Sequence, residues 1–162
     1  MKRPTKTRRA ALCSLTAAGS LALLWTACLA PSGRIGLTAA AGVFSMAAVM
    51  EGGRRAGLLS WGASTVLALI LLPDKGLAVL YGMFLGLYPV VKSCLERLSK
   101  PVLEWGGKLL YFNLALTAGR LALKLLLFPD IPAVLVYLGG NAVFLAYDFG
   151  LSQLAVRLNK LT

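Results

Sequence analysis

The sequence predicts an all-α protein, an integral membrane bundle of six transmembrane helices with both termini in the cytoplasm. Three observations predict it. Of the 162 residues 58% are hydrophobic, and the mean hydropathy of +0.76 does not suit a soluble domain of ordinary composition. The apolar residues fall into runs separated by short breaks that carry Pro or Gly. The cations gather in alternate breaks, as the positive-inside rule requires of a chain that crosses back and forth.

The first element is a basic tail over residues 1–9, with Lys2, Arg3, Lys6, Arg8 and Arg9, followed by a single membrane domain over 10–162. The first span, about 10–30, reads "AALCSLTAAGSLALLWTACLA" and has a small residue at every fourth position: Ala10, Ser14, Ala18, Ala22, Thr26 and Ala30. On a helix these lie nearly above one another, a shallow strip that admits close approach of another backbone. The basic start and "LLWTAC" resemble a signal peptide with a lipoprotein cleavage site at Cys28. Trp25 stands where such sites carry a small aliphatic residue, and more membrane follows, so the span is expected to be retained.

Further spans are expected at about 35–50, 56–72, 77–91, 102–127 and 133–154. Several fall short of the roughly 20 residues that a bilayer core asks for, so the second and fourth are expected to be tilted little, partly irregular, or shielded by neighbours. The breaks "PSGR", "EGGRR", "PDKG", "KSCLERLSKP" and "FPDIP" are short, so consecutive helices run antiparallel. Arg54 and Arg55, Lys92, Arg97 and Lys100, and Arg157 and Lys160 share the side of the basic tail. The other side holds only Arg34 and Lys75, beside Asp74 and Asp130. Glu51 is placed to pair with Arg54 or Arg55. The break from Lys92 to Pro101 alternates charge with Leu95 and Leu98, the pattern of an amphipathic turn on the membrane or of a docking surface for a cytoplasmic partner.

A net charge of +11, from 17 Lys and Arg against 6 Asp and Glu, would also suit a nucleic-acid binder. The placement argues against it, because the charges punctuate apolar runs and form no stripe interleaved with aromatics. The chain has no histidine and three cysteines, Cys13, Cys28 and Cys94, without paired spacing. Zinc sites and His-based catalytic arrangements are therefore not expected, and no metal or cofactor is called for. There is no phosphate-binding loop of the Walker type, so any ATP-driven step belongs to another chain.

An ionisable side chain inside a bilayer costs about 2.5–3.5 kcal/mol on insertion scales, which makes each one a candidate for function or for pairing. The fifth span carries Lys108, Asn113, Arg120 and Lys124, and the sixth carries Asn141, Asp148 and Gln153. Running the two spans antiparallel sets Asp148 near the depth of Tyr111, one turn from Lys108, and Asn141 near Arg120. A Lys108–Asp148 ion pair near the inner boundary is expected. Lys124 is placed to snorkel to the outer surface; Arg120 lies deeper and faces either an internal cavity or the carbonyls of a broken helix. A ligand site in the outer half, with Arg120, Asn141, Tyr137, Tyr81 and Lys124, would suit a small molecule bearing a carboxylate or phosphate. For the tyrosines an interfacial belt, and for Asn141 a helix-to-helix hydrogen bond, are the competing roles.

Six short spans, a basic start running into an Ala-rich first helix, and a Pro-Gly break after it resemble the substrate-binding S components of energy-coupling factor transporters. In that family an "AxxxA" pattern on the first helix docks on a transmembrane coupling subunit. Ala18 and Ala22 match it, and Ala10, Ser14 and Thr26 extend it. The resemblance implies a non-enzymatic substrate-capture subunit of the bacterial plasma membrane, with the coupling subunit and ATPases supplied by other chains. The length and span count also resemble small membrane proteins of the MreD type, which act in cell-shape complexes. On that alternative the first-helix strip docks a scaffold protein, and Arg120 is a structural donor. A lipid-modifying enzyme is disfavoured, because Asp148 is the one clear intramembrane acid.

Overall fold

The computed structural model describes residues 6–97, 101–122 and 132–161. Among the described residues every regular element is helical: α1 (Lys6–Leu29), α2 (Arg34–Gly52), α3 (Arg54–Leu71), α4 (Lys75–Leu80), a π-helical turn (Tyr81–Leu85), α5 (Tyr88–Leu95), α6 (Pro101–Ala122) and α7 (Ala133–Leu161). Among the described residues four stretches are long and apolar enough to cross a membrane: Lys6–Leu29, Arg34–Gly52, Lys75–Leu95 and Val134–Arg157. α1 begins at Lys6, so the last residues of the expected basic tail are already helical. The chain divides into two compact units, one up to Cys94 and the other from Leu95.

In the first unit α1, α2 and α3 pack on one another through small side chains. α3 presents Ala56, Ser60, Ser64 and Ala68, four residues apart and all wholly buried. α1 answers with Thr16, Ala17, Ser20 and Ala27, and α2 with Thr38, Ala41, Ser45 and Ala48. Such helices approach closely, and their hydroxyls hydrogen-bond across the seam. Thr16 Oγ1 is 2.7 Å from Ser60 Oγ, and Ser20 Oγ donates to Ala41 O at 3.0 Å.

The breaks in this unit have specific chemistry. Gly33 (φ 73°) and Gly53 (φ 79°, ψ 175°) supply backbone conformations that L side chains avoid, and each ends just before a new helix. Asp74 caps α4, accepting from Gly76 N at 2.9 Å and Leu77 N at 3.2 Å, and is ion-paired to Arg34. Arg34 Nε also donates to Ala27 O at 3.2 Å, near the end of α1. Lys75 Nζ donates to Leu69 O at 2.7 Å and Leu72 O at 2.8 Å, satisfying carbonyls that the end of α3 leaves open.

The fourth apolar stretch is partly irregular, as its sequence led one to expect. After α4 the winding widens, and Gly86 N donates to Tyr81 O at 2.7 Å, a bond across five residues. The carbonyl of Gly82 receives the Trp61 indole N–H at 2.9 Å.

The second unit contains α6 and α7, which pack on each other as an antiparallel pair. Phe112 and Phe144 stack between them with ring centroids 4.7 Å apart.

Candidate functional site

Three groups of residues could carry function: the exposed side of α1, the hydroxyl cluster inside the first unit, and the polar rungs between α6 and α7.

α1 has two small-residue rows of different fate. The row through Thr16, Ser20 and Ala27 is buried against α2 and α3, while Ala10, Ser14, Ala18, Ala22 and Thr26 are all exposed. Ser14 and Thr26 turn their hydroxyls back onto the carbonyls of Ala10 and Leu23, so the exposed row presents little polarity. It is a thin, weakly polar surface on a helix already filled on the opposite side.

Tyr81 opens the π turn and is wholly buried. Its hydroxyl is hydrogen-bonded to Ser64 Oγ at 2.9 Å and to Ser45 Oγ at 3.1 Å, tying α2, α3 and the fourth stretch together. Beside the π turn an open groove of about 470 Å³ is lined by Trp61, Thr65, Leu69, Gly82, Met83 and Leu87 among others. Tyr81 does not line it, and neither Arg nor Asn does.

In the second unit polar side chains meet in successive rungs. Lys108 Nζ lies 2.7 Å from Glu104 Oε1, 3.5 Å from Asp148 Oδ2 and 3.7 Å from Glu96 Oε1, and 5.3 Å from the centre of the Trp105 ring. One turn and a half further on, the amides of Asn113 and Asn141 are hydrogen-bonded to each other twice at 3.3 Å. Beyond them Thr117 Oγ1 and Tyr137 Oη are 2.7 Å apart.

This register differs from the one read from the sequence. The expected Lys108–Asp148 pair is present, with Phe112 stacked on Phe144 beyond it, and the later pairings follow that alignment. Asn141 accordingly meets Asn113, seven residues before Arg120 and about 10 Å from it along α6. Arg120 itself belongs to α6, but its side chain, like all of Lys124, lies outside the described residues. Glu51 makes no ion pair with Arg54 or Arg55 among the described residues.

Several participants give little or no signal in the sequence. Glu104 sits four residues before Lys108, the spacing that brings a carboxylate and an ammonium together on one helix face, and that spacing could have found it. The row Ala56, Ser60, Ser64, Ala68 has the same four-residue spacing as the strip on α1. Ser45 gives no such signal, being one hydroxyl in a run of small residues.

Against known proteins the chain stands apart: no protein-family model, no curated protein and no solved structure matches it.

Proposed function

We propose that this chain is the substrate-capture subunit of an importer of the energy-coupling factor type. It lies in a bacterial plasma membrane with both termini cytoplasmic. It takes a small anionic nutrient in the outer half of the bilayer and docks to a coupling subunit through α1. The observation that carries the reading is the exposed row Ala10, Ser14, Ala18, Ala22 and Thr26 on a helix whose other face is already packed. A row like this gains from close backbone approach and dispersion, the forces that join helices where lipid removes the hydrophobic drive. In this reading Arg120 receives the anionic group, and ATP is hydrolysed by partner chains.

A non-transporting scaffold of the MreD type shares the docking surface. It is favoured by one fact: Tyr81, Tyr137 and Asn141, proposed for ligand contact, already have hydrogen-bond partners within their own units. Expression with the neighbouring genes of its source, followed by affinity purification and mass spectrometry, separates the two readings. A coupling membrane subunit, paired ATPases and a retained small anion support capture; recovery of cell-shape proteins with no small molecule sinks it.

A further inference from the structure

Near the start of α1 the first unit holds Arg9, Arg54 and Arg55, which make no ion pair among the described residues. The bonds joining α1 to α3 keep a nearly constant offset, Cys13 with Ala56 and Thr16 with Ser60. Carried back one turn, this offset sets Arg9 level with Gly53, beside Arg54 and Arg55 in the first turn of α3. Leu12, three residues after Arg9, also keeps the start of α1 beside the break between α2 and α3, since a Cβ built on Gly52 would lie 3.0 Å from Leu12 Cδ2.

These arginines have donors to spare. Arg9 Nε is shut off from solvent and has no hydrogen-bond partner among the described residues. Arg54 reaches the sulfur of Cys94 at 3.4 Å, a weak acceptor. Arg55 is exposed and makes no hydrogen bond or ion pair among the described residues. The opposite end of the unit is different in kind: Arg34 is spent on Asp74, and Lys75 on the carbonyls that close α3. The two ends therefore differ in unspent donors as well as in the number of cations.

We infer that Arg9, Arg54 and Arg55 bind the phosphate of an anionic phospholipid headgroup. The planar guanidinium fork matches phosphate oxygens, and the first turn of α3, which has no side-chain cap, adds favourable N–H dipoles. A lipid is the fitting source of that phosphate. α1 and α2 are each long and apolar enough to cross a membrane, and the patch sits at their ends, at headgroup depth. The inference does not depend on whether the chain transports anything.

The test uses the full chain in nanodiscs of phosphatidylcholine with a minor fraction of phosphatidylglycerol, and counts retained lipid by native mass spectrometry. Phosphatidylglycerol should be held in preference to phosphatidylcholine. The triple variant R9Q/R54Q/R55Q should lose on the order of 100-fold in that preference, about fivefold for each arginine, whereas R157Q should lose nothing. Arg55 is exposed and holds no hydrogen bond among the described residues, so R55Q alone should fold and still show the fivefold loss. The charge-preserving R9K/R54K/R55K should keep most of the preference. Equal retention of the two lipids, or unchanged retention by R55Q and the triple glutamine variant, overturns the inference. So does displacement of phosphatidylglycerol by free inorganic phosphate, or tighter binding of a short RNA through the same arginines.

Discussion

Lys108 Nζ stands 3.5 Å from Asp148 Oδ2, across forty residues of sequence, with side chains only 3% and 5% exposed. The lysine is also the sole cation beside Glu104 and Glu96 in this group of four described residues, so its partners are unequal in what they lose without it. Removing Lys108 takes the facing ammonium away from a buried carboxylate, Asp148. Removing Asp148 leaves Lys108 still held by Glu104. Lys108→Met should thus cost about 3–5 kcal/mol, and Asp148→Asn about 1–2 kcal/mol. Unfolding of the detergent-solubilised chain by denaturing surfactant measures both, and the reverse ranking contradicts this assignment of partners.

The two small-residue rows of α1 and its neighbours should respond oppositely to added bulk. Ala18→Leu and Ala22→Leu lie on the exposed row and should leave the isolated chain within about 0.5 kcal/mol of its original stability. Ala41→Leu enters a wholly buried seam and should cost about 1–3 kcal/mol. If the exposed row docks a partner, the Ala18 and Ala22 variants should nevertheless lose it in co-purification. Normal assembly with a bulky row would remove α1 from the docking role.

Tyr81→Phe deletes the hydroxyl shared by Ser45 and Ser64. Hydrogen bonds between helices in a membrane are worth about 0.6 kcal/mol on average and up to about 1.7, and here two are lost at once. A cost of about 1–2 kcal/mol is expected, together with a coupling energy in a double-mutant cycle with Ser64→Ala. Additive single effects would mean that the hydroxyl does not bridge them.

Asp74→Ala removes the α4 cap and the partner of Arg34, with an expected cost of about 1–2 kcal/mol. The local signature is faster hydrogen exchange at the amides of Gly76 and Leu77, which Asp74 accepts from. Asp74→Asn should restore much of the cap and little of the ion pair, which separates the two contributions.

Gly53→Ala should cost more than Gly33→Ala. The backbone of Gly53 (φ 79°, ψ 175°) lies in a region open to glycine almost alone, worth about 1–3 kcal/mol of strain to any other residue. Gly33 (φ 73°, ψ 13°) is ordinary left-handed backbone, where alanine pays about 1 kcal/mol. Thermal melts of the two variants give the comparison directly.

Much of this architecture is legible in the residues. Apolar runs between Pro-Gly breaks mark the helical elements, and the four residues "PDKG" by themselves announce a cap and a turn. Pairing across helices is legible only to within about a turn, because an apolar helix face looks alike at neighbouring registers. Spacing alone therefore aligns Asn141 with Arg120, whereas the Lys108–Asp148 contact places it at Asn113. The choice between the two rows on α1 is equally hidden. Thr16, Ser20 and Ala27 differ little from Ala18, Ala22 and Thr26 in size, and burial is decided by the matching row on α3. Sequence spacing shows that a helix is thin; its neighbours determine which thin side they use.

The widened winding at Tyr81–Leu85 acts as a phase shift in the fourth apolar stretch. Each residue of an α-helix advances the chain by about 100°, and the wider turn absorbs roughly one extra residue, so regular winding of the same residues would rotate α5 by about that angle. Tyr88 and Lys92, only 0% and 3% exposed, would swing off the interior. A one-residue deletion within the wide turn would instead return the stretch to regular winding with the interior side of α5 kept in place, whereas the same deletion in α4 or α5 would turn that side away.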